Sequence, residues 1–227
     1  MKAKRLPIPE QLKKPGKMRL LFRVLFFIGL IGGQYTLQAQ TDSAELQRIF
    51  QNYRTALQNR DADQAIAQLN RRTTGYYDSM LQVVRFADSA ALSRHGVMSQ
   101  LLVLAIRLQV PESEIRVMRG KDLLAFGIRN GMVGVAGLDR AVLGYPHIKG
   151  SMAKVPLWFE GQQSKLSLRF DKEGLWRLDM IDMMAAGEAG LQTFLQNEGI
   201  ETAVFLRSAI KRSFGIEAPV RIWRPVG

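Results

Sequence analysis

The chain has 227 residues, 47% of them hydrophobic and 23% charged, ordinary values for a globular protein and unlike those of a disordered one. It has no cysteine, which excludes disulfides, zinc–thiolate sites, iron–sulfur clusters and thiol nucleophiles. More than half of the net charge of +12 sits at the front: residues 1–40 hold eight Lys/Arg and one acid, Glu10, so 41–227 carry 24 basic and 19 acidic residues in mixed order, without the basic stripe of a nucleic-acid binder.

Residues 18–40 read MRLLFRVLFFIGLIGGQYTLQAQ. Arg19 and Arg23 form a basic n-region, and Val24 to Ile31 an apolar run of signal-peptide length. Gly32 and Gly33 end it, and Leu37-Gln38-Ala39 offers a small residue for signal peptidase, with cleavage between Ala39 and Gln40. The run is shorter than the roughly 20 residues of a membrane span. These features predict an exported protein, periplasmic or secreted. The alternative is an inner-membrane anchor at residues 18–39 with its basic flank inside. Membrane contact is expected only through this segment, if it stays uncleaved. Met18 is a candidate start, because a complete signal peptide begins there.

Residues 41–227 suffice for one domain, expected to be mainly helical over 41–130, a sheet over 131–182 and a helical tail over 183–227. The spacing of Leu46, Ile49, Phe50, Tyr53, Ala56 and Leu57 predicts an amphipathic helix over 42–59, with Asp42 and Glu45 spaced as a capping box. Asp61 or Asp63 caps a shorter helix carrying Ala65, Ile66 and Leu69. A third helix is expected over 74–87, with Tyr77, Met80, Leu81 and Val84 on one face. A fourth starts at Asp88 or Ser89, buries Leu92, Met98, Leu101, Leu102, Ala105 and Ile106, and ends at Pro111. Short helical turns follow at 112–118 and 121–129. The glycine-rich stretch Gly131–Gly137 fits a bent strand or a loop.

Alternation then predicts an antiparallel meander: Val155, Leu157 and Phe159; a turn at Gly161-Gln162; Leu166, Leu168 and Phe170; a turn at Asp171–Gly174; then Trp176, Leu178 and Met180. Pro156 places the first strand at an edge or at a bulge. Two helices follow, one around Leu191, Phe194 and Leu195, the other from Thr202 to a stop at Gly215. The tail is expected to run extended, anchored by Ile222 and Trp223. The fold class is therefore α+β: N-terminal helices packed on a curved antiparallel sheet, with additional C-terminal helices.

The run Lys165-Leu-Ser-Leu-Arg-Phe-Asp-Lys-Glu-Gly-Leu-Trp-Arg-Leu-Asp179, after an opening with Tyr53, Ala56, Leu57, Asp61, Ala65 and Leu69, resembles the nuclear transport factor 2-like superfamily. The resemblance covers the first 30 or so residues after the leader and 150–182. The helical region 74–130 is longer than that family's core, and the helices after Met184 extend its usual end. The resemblance implies a cone with a pocket inside, a fold shared by isomerases, dehydratases, cyclase-like enzymes and non-catalytic binding modules, so fold does not fix function.

Among residues that carry chemistry, Asp179 lies on the third strand opposite the Trp176/Leu178 face. Desolvated in a pocket, it is a candidate general base; the alternative is a strand-end acid in water. Asp182 reads as a helix cap. Tyr53 and Tyr77, with Tyr76, are candidate proton donors to an oxyanion, or core residues with a polar tip. His95 and His147 are the only histidines, and they are too far apart in sequence to suggest a metal site. No cofactor and no metal is expected. The leading reading is a non-catalytic exported domain that binds a small apolar ligand or a protein partner. The alternatives are a cofactor-independent pocket enzyme of the isomerase or dehydratase type and a structural subunit of an envelope assembly. A homodimer is compatible with each.

Overall fold

The computed structural model describes residues 41–133 and 138–226. The expected leader and its expected cleavage site at Ala39 and Gln40 lie outside them, as do four residues of the glycine-rich stretch. The chain divides at Ala44/Glu45 into two units, and the second, Glu45–Gly227, holds the α+β domain, helices with a curled antiparallel half-barrel sheet.

Helix α1 covers 41–58, and its stripe Leu46, Ile49, Phe50, Tyr53, Ala56 and Leu57 is buried as the spacing predicts. Thr41 is already helical, so Asp42 is not its cap. Asp61, rather than Asp63, caps α2 (Ala62–Ala67) by accepting from the Gln64 N–H at 3.1 Å. Helix α3 (Arg71–Phe86) starts three residues earlier than expected, because the Asn70 side chain accepts from the Thr73 N–H at 2.9 Å, an N-cap worth about 1 kcal/mol.

The single helix expected from Asp88 to Pro111 is two. Asp88 caps the four-residue α4 (Ser89–Leu92), the chain bends at His95, and α5 (Val97–Gln109) begins after Gly96. The start of α5 is capped from a distance: the Glu188 carboxylate accepts from the N–H groups of Val97 and Met98, where the helix dipole favours an anion. The break turns Met98 outward, where it is exposed rather than in the core. Helices α6 (Glu112–Val117) and α7 (Gly120–Arg129) follow. The second is more than a turn, with Leu123, Leu124 and Ile128 buried against the rest of the core, and it packs on α3 and α2.

The sheet has five strands, two more than the alternation showed: β1 (Ala141–Leu143), β2 (His147–Lys149), β3 (Met152–Phe159), β4 (Gln162–Glu173) and β5 (Leu175–Asp179). All pair antiparallel in the order β1-β3-β4-β5, and β2 pairs with the other end of β3, so that β1 and β2 share one edge. Strand β3 is therefore internal, and Pro156 sits at a register shift between Pro156 and Trp158. The bulge reading of Pro156 holds and the edge reading does not, because a bulge releases the ladder position that proline cannot fill. Glu160 and Gly161 both have positive φ, 51° and 79°. They form the tight two-residue turn that matches strand twist, one residue before the expected Gly161-Gln162. The second turn is tighter than the four residues expected: Asp171, Lys172 and Glu173 pair with Arg177, Trp176 and Leu175.

The inner face of the sheet is closed. Ala153, Val155, Leu157, Leu168, Phe170, Trp176 and Leu178 are all buried within one core that includes the stripe of α1. Helices α8 (Ile181–Asn197) and α9 (Thr202–Phe214) follow, α8 against β4 and both against α5. Gly215 ends α9 in the left-handed conformation at φ 72°. The tail is a 3-10 turn, Val220–Trp223, rather than an extended segment, with Ile222 buried.

Arginines close several helix ends from neighbouring elements. An α-helix leaves its last four carbonyls without intrahelical donors. Arg85 donates to the carbonyls of Ile115, Arg116 and Met118 at the end of α6. Arg107, itself buried, donates to Val83, Val84 and Ala87 at the end of α3 and to Ile222 in the tail. Arg221 donates back to the carbonyls of Arg107 and Leu108 near the end of α5. Burial lowers the Arg107 pKa to about 10, still far above neutral pH. Its charge is met by four carbonyl dipoles instead of a carboxylate.

Candidate functional site

Asp179 ends β5 with its side chain fully buried. Its Oδ1 accepts from the Ile181 N–H at 2.9 Å, at the start of α8. Its Oδ2 accepts from Arg72 Nη1 at 2.9 Å and Asn70 Nδ2 at 3.1 Å, with Arg169 Nε at 3.8 Å. Asn70 Nδ2 also donates to Asp171 Oδ2 at 2.8 Å, and Arg169 Nε donates to Asp171 Oδ1 at 3.0 Å. Thr73 Oγ accepts from the Met180 N–H. Asp182 completes the group through Arg72 Nη2 at 3.5 Å. Asn70 N–H to Leu178 C=O and Leu178 N–H to Gln68 C=O tie the same junction through the backbone.

This arrangement joins the first turns of α3 and α8 to the end of the sheet. Each carboxylate oxygen of Asp179 is already occupied by a donor, as a buried charge requires, and two of those donors come from the helix start that Asn70 caps. What the geometry does is fasten three elements.

The candidate phenols lie elsewhere. Tyr53 and Tyr77 are buried in the core, and burial pushes both hydroxyls far up from their ordinary pKa, with Tyr53 and Tyr76 adding to the effect at Tyr77. Both stay protonated at neutral pH. Tyr76 meets Tyr77 edge to face at 5.3 Å between ring centres and shares a 2.9 Å hydrogen bond with Ser99. Neither Tyr53 nor Tyr77 is among the partners of Asp179, so the acid and its proposed proton donors are not brought together. His147 is exposed on β2, and His95 sits at the bend between α4 and α5. Among the described residues no three His, Asp or Glu converge as a metal requires, and no helix is long and apolar enough to cross a membrane.

A groove of about 560 Å³ opens between α2, α6 and α7, within the size range of ligand sites. Ile66, Met118, Ala125 and Phe126 give it an apolar floor, and Val117 stands beside them 80% exposed. Acids (Asp63, Glu114, Asp122) and bases (Lys121, Arg129) line it together. Asp122 is held by the Arg119 N–H at 2.9 Å, which lowers its pKa and keeps it ionised. None of Asp179, Tyr53 and Tyr77 lines this groove. In the sequence its apolar residues are indistinguishable from core. The one usable sign is Val117, an apolar residue flanked by Arg116 and Met118 in a helix too short to bury it.

No family model, no curated protein and no solved structure matches this chain.

Proposed function

We propose that the domain is a non-catalytic exported binding module and that the α2/α6/α7 groove receives an apolar segment of a protein partner. The observation that carries this is the groove itself: an apolar floor ringed by charges of both signs, the pattern of a protein interface with a hydrophobic centre and a polar rim. Met118 in the floor adapts to varied side chains. The filled inner face of the sheet supports the same reading, since a ligand inside the half-barrel would have to displace Leu168, Phe170 and Trp176. The occupied carboxylate of Asp179 weighs against acid–base catalysis there. The resemblance to the nuclear transport factor 2-like superfamily belongs to the same proposal, supported by helices that precede a curled sheet.

The test uses the neutral apolar probe Nile red with the full-length chain. The wild type should enhance its fluorescence, Val117→Asp should lower the enhancement several-fold while melting like the wild type, and Met118→Asp, at a residue half-buried against the core, should lower it as well at some cost in melting temperature. Residues 1–40 are common to all three proteins, so the difference reads the groove. Equal enhancement by the three proteins would refute an accessible apolar floor.

A further inference from the structure

We infer that the outer face of the sheet, along its β1/β2–β3 edge, is a docking surface for an anionic lipid membrane. On this face Val142 lies directly across from Trp158, and both are exposed, Trp158 by 37%. Tyr145, 78% exposed, follows in the loop between β1 and β2. Gly144 is what lets the indole lie there: a Cβ at this position would fall 2.6 Å from Trp158 Nε1 and 3.3 Å from Pro156 Cγ. The ring is seated over bare backbone beside a proline instead of folding into the core.

Three lysines lie along the same face, two of them toward the β2 end of β3. Lys154 and Lys149 lie at adjacent outward positions, paired with His147 and Met152, and Lys165 is exposed in the part of β4 opposite the bulge. None of the three makes an ion pair among the described residues, whereas Glu160, the acid at the end of this strip, is paired with Arg140. Asp171, across from Met152 on β4, is already held by Arg169 and Asn70, so the strip carries an excess of lysine charge beside exposed aromatic side chains.

Its composition chooses the occupant. Protein interfaces are depleted in Lys and favour Arg. Trp and Tyr beside Lys are instead the residues of a membrane–water interface, where amphipathic rings sit among headgroups and lysines reach the phosphates. Each Lys near an anionic bilayer strengthens binding about fivefold, so three together are worth about a hundredfold.

The experiment measures sedimentation of the full-length chain with vesicles of phosphatidylglycerol and phosphatidylcholine. The leader is present in every protein compared. Wild type should bind mixed vesicles, bind phosphatidylcholine vesicles far more weakly, and lose the difference at about 1 M salt, where screening acts within about 3 Å. Because the basic, apolar leader binds vesicles alike in every protein compared, the K149Q/K154Q/K165Q variant should lose the patch's own contribution to binding, about a hundredfold in that contribution, with an unchanged melting temperature. Trp158→Ala should weaken binding and remove a blue shift in tryptophan emission. Met118→Asp in the groove should leave vesicle binding unchanged, which separates this inference from the proposed function. The inference is overturned if the triple variant binds mixed vesicles like the wild type. It is overturned equally if the lysines matter only for an acidic polysaccharide such as alginate or for an acidic peptide.

Discussion

Replacing Asp179 by Asn removes one charge and changes almost no volume, and the structure sets what that costs. The carboxylate takes three hydrogen bonds within 3.1 Å, from Ile181 N, Arg72 Nη1 and Asn70 Nδ2. An amide offers one acceptor oxygen. If it faces Ile181, its NH2 points at two other donors; if it flips, Ile181 at the start of α8 loses its acceptor. A hydrogen bond to a charged group contributes about 1.5–3 kcal/mol and a neutral one about 1 kcal/mol. Breaking a fully buried ion pair costs about 3–5 kcal/mol, but the Arg72 side chain is 45% exposed and can turn to water and Asp182. We expect Asp179→Asn to cost about 2–3 kcal/mol, and Asp179→Ala somewhat more because it also leaves a cavity. For a domain of this size the Asn variant should melt roughly 5–10 °C lower. Arg72→Met should cost about 1 kcal/mol, and the double variant should show a coupling of about 1–2 kcal/mol. Urea unfolding followed by circular dichroism measures all four proteins at constant slope. Wild-type stability of Asp179→Asn would refute the structural role, and loss of an activity without loss of stability would restore Asp179 as a general base.

Leu168 is fully buried on the inner sheet face, so Leu168→Asp should cost at least about 4 kcal/mol by placing an unpaired charge in the core, read as loss of the cooperative melting transition. Arg107→Met should cost about 3 kcal/mol or more by leaving the carbonyls of Val83, Val84, Ala87 and Ile222 without that donor; limited proteolysis should then release the tail first. Asp122 holds the start of α7 through the Arg119 N–H, which depresses its pKa. The stability it adds is present above the unfolded value near 4 and is lost as pH falls through the lower folded value. Asp122→Ala should cost about 1 kcal/mol at pH 7, with the gap to wild type closing in acid unfolding titrations below about pH 4.

Much of the fold was legible because periodicity is a direct image of burial. The stripe of α1, the alternation of β3 to β5 and the stop at Gly215 all follow from which side chains must leave water. What stayed hidden depends on contacts distant in sequence. Strands β1 and β2 have three residues each, too few for alternation to register, and they exist because β3 offers them an edge. The break before α5 is stabilised by Glu188, about ninety positions away. Arg107 carried a sign that could have been read: a lone arginine in the run Leu-Leu-Val-Leu-Ala-Ile-Arg-Leu must find partners when that run is buried. Alternation marks Asp179 as an acid on the strand, but it cannot show that Asn70 and Arg72 reach it from the start of α3. The groove is the least legible feature, since three helices must assemble before its floor is left uncovered.

The most direct test of the binding account places a photoreactive benzoylphenylalanine at Val117 in the producing cell, with a control at Val220, another exposed valine far along the chain. The account predicts one discrete crosslinked protein adduct from position 117, lost when Met118→Asp is added and absent from position 220. Identical adduct patterns from both positions, or an adduct at 117 that persists with Met118→Asp, would contradict the groove as the partner site.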